Sequence, residues 1–186
     1  MNVLDLDEYY ATYSDLIRPP WLFEKIYEVE KVFLETKDKG AKITFSGNGA
    51  SAAIAAHLAL DTTKQAQIRA VNFHDAALIT AFANDFGYDK ALMNCLKYYA
   101  DPQDIHVFIS VSGESPNVVH AAEYCRELGY TTISFTGCKE DNSLAQSTDI
   151  SFWVDSSAYN IVECIHMIWL TTIVDRIIGK SVYKVS

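Results

Sequence analysis

With 186 residues, 49% of them hydrophobic, the chain is long enough to bury a sizeable core as one globular domain. Its formal net charge of -9, with 15 Lys and Arg scattered rather than clustered, argues against nucleic acid and other acidic partners. The four cysteines, Cys95, Cys125, Cys138 and Cys164, form no C-x-x-C pair. That spacing argues against a thiolate metal site or a disulfide framework and fits reduced thiols in a cytoplasm.

The opening "MNVLDLDEYYATY" is acidic and polar, unlike a signal peptide. Residues 1–40 read as a helical prefix of two helices broken at Pro19-Pro20, with Leu22, Ile26, Val29 and Phe33 at helical spacing after the break. "KITFSG" predicts a short buried strand and "SAAIAAHLALDTTKQ" an alanine-rich helix. "IRAVNF" predicts a second strand, followed by helical stretches on either side of "NDFGYD". "IHVFISV" is a third strand, and "NVVHAAEYCRELG" is its helix, stopped by Gly129. "TTISFTG" and "DISFWV" are the fourth and fifth strands, and a closing helix runs from about Tyr159 to Ile178. That helix contains Glu163, His166, Asp175 and Arg176, so it reads as a buried amphipathic helix and not a membrane span. Trp153 and Trp169 sit in apolar runs and are expected in the core.

No repeat or linker divides the chain. Residues 1–186 are therefore expected to form a single domain, with the prefix at 1–40 and an α/β core at 41–180. Strands alternating with helices predict an α/β three-layer sandwich around a five-stranded parallel sheet. The flavodoxin-like order 2-1-3-4-5 is the common solution, and its ligand crevice lies beyond the carboxyl ends of strands 1 and 3. The loops there are "SGNGAS" and "SVSGESPN", so both unusual loops fall at one switch point.

Gly47, Gly49 and Ala52 make a G-x-G-x-x-A pattern, but strand 2 ends near Asn72 and Phe73 without the acidic residue that would hold a ribose. Asp75 lies beyond it, expected in the next helix. A P-loop lysine motif is also missing. A phosphate monoester fits better. Ser51 in the first turn of its helix faces unpaired N–H groups and a favourable dipole, and Ser110, Ser112 and Ser115 supply hydroxyls from across the crevice. For either loop alone, turn formation explains the serines, with Ser115 as a helix cap. Two such loops converging favour phosphate.

Taken together, "SGNGAS", "ANDFGYD", "ISVSGESPNVV" and "VECIH" resemble the SIS (sugar isomerase) domain family over about Lys42 to Ile178. Within it the chain is similar to phosphoheptose isomerases, which interconvert sedoheptulose 7-phosphate and a D-glycero-D-manno-heptose 7-phosphate. The resemblance implies sugar-phosphate binding by Ser110, Ser112 and Ser115, with Asn48, Gly49, Ser51 and Asp85 completing the pocket. It also implies a homotetramer and a zinc ion. His57 and Asp61 match a metal-binding His and Glu, and Glu163 matches a metal-binding Gln. Val111 replaces a family Thr, Glu114 an Asn, Asn160 an Asp and Thr171 the catalytic, zinc-binding His. His166 matches a histidine not usually assigned the chemistry.

Aldose–ketose exchange needs a base beside the carbonyl and a means of stabilising an enediolate. His57 and Asp61, at i, i+4, share a helix face, and Glu163 joins them as catalytic and metal candidates with an open coordination position. Asn84 and Asp85 read either as a turn and cap or, for Asp85, as part of the sugar pocket. The alternative is a non-catalytic SIS-domain protein, either a phosphosugar binder or a replication-initiator-associating adaptor. His57 and the serine loop favour the isomerase, since an adaptor needs neither.

Overall fold

The computed structural model describes residues 4–182; Met1–Val3 and Tyr183–Ser186 of the expected domain lie outside the described residues. Asp5 caps the first helix, α1 (Leu6–Leu16), by accepting the Glu8 amide at 3.0 Å. Pro19 and Pro20 interrupt the chain before α2 (Leu22–Asp38), which buries Leu22, Ile26, Val29 and Phe33 as the spacing predicts. α1 buries no residue fully, but its Tyr9, Tyr13 and Leu16 pack half-buried against the core, and the Trp169 indole N–H donates to the Ile17 carbonyl at 2.8 Å.

Strands and helices then alternate: β1 (Ile43–Gly47), α3 (Gly49–Lys64), β2 (Ala70–Asn72), α4 (Ala76–Phe86), α5 (Tyr88–Tyr99), β3 (Ile105–Ser110), α6 (Pro116–Glu127), β4 (Thr131–Thr136), α7 (Ser143–Gln146), β5 (Ile150–Trp153) and α8 (Tyr159–Ile178). All pairings are parallel, in the order β2-β1-β3-β4-β5, as expected. β1 and β3 run in register from Ile43 opposite Ile105 to Gly47 opposite Ile109, and every residue of both is buried. Such unbroken burial is what helices on both faces of a parallel sheet require.

Alternate side chains go to opposite layers. Ile105, Val107 and Ile109 join a core with α2, α3 and α8, where Phe33, Phe45, Phe135, Phe152 and Trp169 pack. Phe108, between them, joins the other core with Leu92, Leu96, Val118 and Ala122 of α5 and α6. His106 in β3 is fully buried, with Nδ1 2.9 Å from the Thr44 hydroxyl, and burial pushes its pKa down to about 4. At the entry to β1, the Lys42 amide donates to Asp104 at 2.9 Å and its ammonium meets Asp101 at 2.6 Å.

Several expectations need correction. β2 is only three residues long and half-exposed, because an edge strand has one neighbour. Asp75 caps α4, accepting the amides of Ala77 and Leu78 at 2.9 and 3.2 Å, and so precedes the helix. "NDFGYD" is no extended break: Asn84 and Asp85 belong to the last turn of α4, and Gly87 alone (φ 82°) separates it from α5. Neither Asn84 nor Asp85 is therefore a helix cap. Trp153 is half-buried rather than core, its indole N–H reaching the Cys138 carbonyl at 3.4 Å. One-turn α7, invisible to periodicity, is started by Asn142, whose side chain accepts the Ala145 amide at 2.9 Å.

Gly47 sits where β1 runs into α3. A Cβ there would lie 2.7 Å from the Ser51 Cβ and 2.8 Å from the Ile109 carbonyl oxygen. Backbone cannot yield as a flexible side chain does, so Gly47→Ala is expected to destabilise by about 1–3 kcal/mol, read by urea denaturation. An unchanged midpoint would refute the close packing of these two segments.

Candidate functional site

The carboxyl ends of β1 and β3 lie side by side, and α3 and α6 begin from them. A cavity of about 90 Å³ opens there, lined by Asn48, Ser51, Ile109, Ser110, Val111, Ser112, Ser115, Tyr159 and Glu163. The serines expected from both loops thus meet, together with Glu163 from α8. Ser110 Oγ donates to Ser115 Oγ at 3.3 Å, leaving the Ser115 hydroxyl proton free. Ser112 Oγ accepts the Glu114 amide at 3.1 Å, so its own O–H also remains a donor.

The starts of three helices contribute. Asn48, Ser115 and Ala158 hold the N-cap positions of α3, α6 and α8, and none makes a side-chain cap bond. Ser115 is therefore not the capping serine that a turn-forming role predicts. Asn48 is drawn off into a reciprocal amide pair with Asn117: its Nδ2 donates to Asn117 Oδ1 at 2.8 Å, and Asn117 Nδ2 returns a bond to Asn48 Oδ1 at 2.9 Å. The Tyr88 hydroxyl donates to the same Asn48 oxygen at 2.9 Å. First-turn N–H groups left without side-chain acceptors, with the helix dipole behind them, favour an anion. Among the described residues no lysine or arginine lines the cavity.

Asn117, Tyr88 and Tyr159 were not identified from sequence. Asn117 stands in the quoted "SPNVV", and a polar residue buried in the first turn of a helix was the signal to use. Glu114, the acidic departure in the serine loop, does not line the cavity. Its carboxylate accepts the Ser143 amide at 3.0 Å and hydroxyl at 2.6 Å, and these bonds hold its pKa below the ordinary glutamate value.

The remaining candidates separate. Gly49 (φ 55°) and Asn48 line an adjoining, mostly apolar cavity of about 250 Å³, with Phe73, His74, Tyr88 and Leu92 among its walls. His74 Nε2 lies 3.0 Å from the Gly47 carbonyl, an acceptor, and therefore carries the proton. Asp85 is exposed and accepts from Asn84 at 2.9 Å; it lines neither cavity. His57 and Asp61 face each other at 3.2 Å on α3, as their spacing predicts. Glu163 stands apart from them in the serine cavity, and burial raises its pKa. Among the described residues no three His, Cys, Asp or Glu side chains come together to hold a metal ion, so His57, Asp61 and Glu163 do not assemble into the expected ligand set. Thr171 bonds back to the carbonyls of Met167 and Ile168 at 2.8 and 3.1 Å, a role internal to its helix. His166 is wholly buried and ties α8 to the end of β4 through Nε2 at 3.0 Å from the Thr136 carbonyl.

Residues 8–137 match the model of the SIS domain, and the chain belongs to that family. Its sequence relatives there include phosphoheptose isomerases. The one from Aliarcobacter butzleri is 32% identical over 156 residues, covering 81% of this chain and 82% of that protein. The one from Nitratidesulfovibrio vulgaris Hildenborough is 33% identical over 150 residues, covering 77% and 72%. The solved phosphoheptose isomerase of Neisseria gonorrhoeae superposes with a TM-score of 0.78 at 28% identity, covering 84% of this chain and 87% of that one. No helix among the described residues is long and apolar enough to cross a membrane.

Burial pushes the pKa of His166, like that of His106, down from 6.5 to about 4. The unfolded chain takes up protons on these rings near pH 6.5 and the folded chain only near 4, so stability falls as pH drops through that window. At about 1.4 kcal/mol per pH unit, each ring accounts for up to roughly 3 kcal/mol. Urea denaturation between pH 7 and 4.5 is expected to show this slope, and His166→Gln to flatten it. An identical slope in the variant would show that His166 titrates normally.

Proposed function

We propose that the chain isomerises a sugar phosphate, interconverting sedoheptulose 7-phosphate and a D-glycero-D-manno-heptose 7-phosphate. The observation that carries this reading is the convergence of Ser51, Ser110, Ser112 and Ser115 with Glu163 around one small cavity at three uncapped helix starts. Hydroxyls and backbone amides are neutral donors, suited to a phosphate monoester in a protein that is acidic overall. The names of the sequence relatives support a seven-carbon substrate.

With phosphate held by the serine loop, isomerisation passes a hydroxyl proton from O1 to O2 and moves one carbon-bound proton. It leaves C1 of the ketose, an enediolate forms, and the proton returns to C2 to give the aldose. Glu163 is the group we assign to this transfer. Its carboxyl lines the cavity, and its burial-raised pKa brings it closer to neutrality, where a base both accepts and returns a proton readily. Thr171 has no comparable acidity and is engaged within its helix. Asn48 orients the site through Asn117 and Tyr88.

A divalent metal, zinc by the resemblance, would take His57 and Asp61 as ligands and supply a positive charge to the enediolate. The donor set of one chain does not fit it: the two are paired with each other, and no third such group joins them. We further propose a cytoplasmic homotetramer, supported by free cysteines and by exposed Phe23, Tyr27, Leu34 and Ile168 on α2 and α8.

Proton NMR of sedoheptulose 7-phosphate in D2O with purified protein tests the function. An aldose signal carrying deuterium at C2 is expected, and Glu163→Gln is expected to slow its appearance by about 100-fold or more. No aldose after long incubation would refute the isomerase. After exhaustive chelation the exchange is expected to persist. Loss on chelation with recovery on added zinc would instead require a metal ligand from beyond the donors of one chain.

A further inference from the structure

The serine loop rests on α7, a contact independent of the residues facing the cavity. Gly113 is buried at φ 66°, where a Cβ would lie 2.0 Å from Asn142 Oδ1. Its carbonyl accepts the Leu144 amide at 2.9 Å, and its amide donates back to the Ser110 carbonyl at 3.1 Å. Asn142 is fixed beneath it, donating to Thr136 Oγ1 at 3.1 Å and to the Lys139 carbonyl at 2.7 Å. Glu114 adds a charged tie. Its carboxylate takes both the amide and the hydroxyl of Ser143, the first residue of α7, while its own amide fixes Ser112 Oγ. The Glu114 backbone thus sits between Ser112 and Ser115, and its side chain is bolted to the support beneath them.

We propose that Glu114 is a positioning residue for the phosphate site, a latch that locks the serine loop onto α7. This rests on the reading of Ser110, Ser112 and Ser115 as phosphate ligands. Two opposing effects bear on it. A carboxylate near a bound phosphate weakens binding by repulsion. A carboxylate holding the loop in its binding conformation strengthens binding, because the ordering of three hydroxyl-bearing residues is then completed before the ligand arrives. The charge is taken up by hydrogen bonds of 3.0 and 2.6 Å from Ser143 and lies outside the cavity lining, where repulsion across solvent is screened. The latch therefore outweighs the repulsion.

The test is calorimetric titration of sedoheptulose 7-phosphate into wild type, Glu114→Ala, Glu114→Gln, Ser143→Ala and the Glu114→Ala/Ser143→Ala double variant. Circular dichroism would confirm that each is folded at the temperature used. Glu114→Ala removes both hydrogen bonds and is expected to weaken binding about fivefold to tenfold, the scale of a lost helix cap, whereas Ser143→Ala removes only the hydroxyl bond and should weaken it less. The double variant should be no worse than Glu114→Ala alone, and Glu114→Gln, which still accepts hydrogen bonds, should recover part of the loss. In turnover the effect should appear in KM with kcat little changed. Unchanged or tighter binding by Glu114→Ala would overturn the proposal, as would additive losses in the double variant. If wild type itself shows no heat of binding, the phosphate reading fails and the latch falls with it, an outcome distinct from tight wild-type binding that Glu114→Ala leaves intact.

Discussion

Everything at this site depends on β1 lying beside β3. Their in-register pairing, Ile43 against Ile105 through Gly47 against Ile109, places two chain exits a strand spacing apart at the same edge of the sheet. The crossovers leave in opposite directions, so α3 packs on one face and α6 on the other, and a crevice remains between their first turns. Close packing at Gly47 keeps that crevice narrow. Without this adjacency the two serine-bearing loops would be ordinary turns, each with its hydroxyls spent on capping.

The polar groups around the crevice are arranged so that donors stay available. Helix starts commonly satisfy their first amides with the side chain at the N-cap. Here Asn48 is diverted to Asn117 and Tyr88, and Ser115 receives a bond from Ser110 instead of capping α6. On the proposed reading, a protein of net charge -9 would thereby hold an anion with no Lys or Arg among the described residues lining the cavity. The local field of amides and hydroxyls would override the overall charge because it acts at contact distance, whereas the distant carboxylates are screened by solvent.

Much of this was legible from the chain alone. Periodic segments such as α2, with Leu22, Ile26, Val29 and Phe33 on one face, and fully buried strands such as β3 announce themselves, and the order of the elements fixed the switch point and hence which serines would meet. The less legible parts were local or tertiary. A one-turn helix such as α7 has no period to detect, so the chain alone gives no sign of the partner that Glu114 finds there. The pairing of His57 with Asp61 follows from helical spacing, but whether Glu163 joins them depends on how α8 sits over α3, which no spacing specifies. Asp85 is a similar case: α4 runs on to Phe86 before Gly87 ends it, so Asp85 lies exposed in the last turn of that helix and lines neither cavity described above.

The division of labour between elements has a consequence for how such a protein can change. On the proposed reading, the grip on phosphate would belong to the β1 and β3 loops and their support on α7, while the proton-handling carboxyl would come from the separate helix α8. Substitutions on α8 can alter the reactive groups without disturbing the handle by which a substrate is held. One anchor could thus serve different chemistries: with Thr171 engaged inside its own helix, a carboxyl such as Glu163 would take up the proton handling while the loops kept their hold on the ligand.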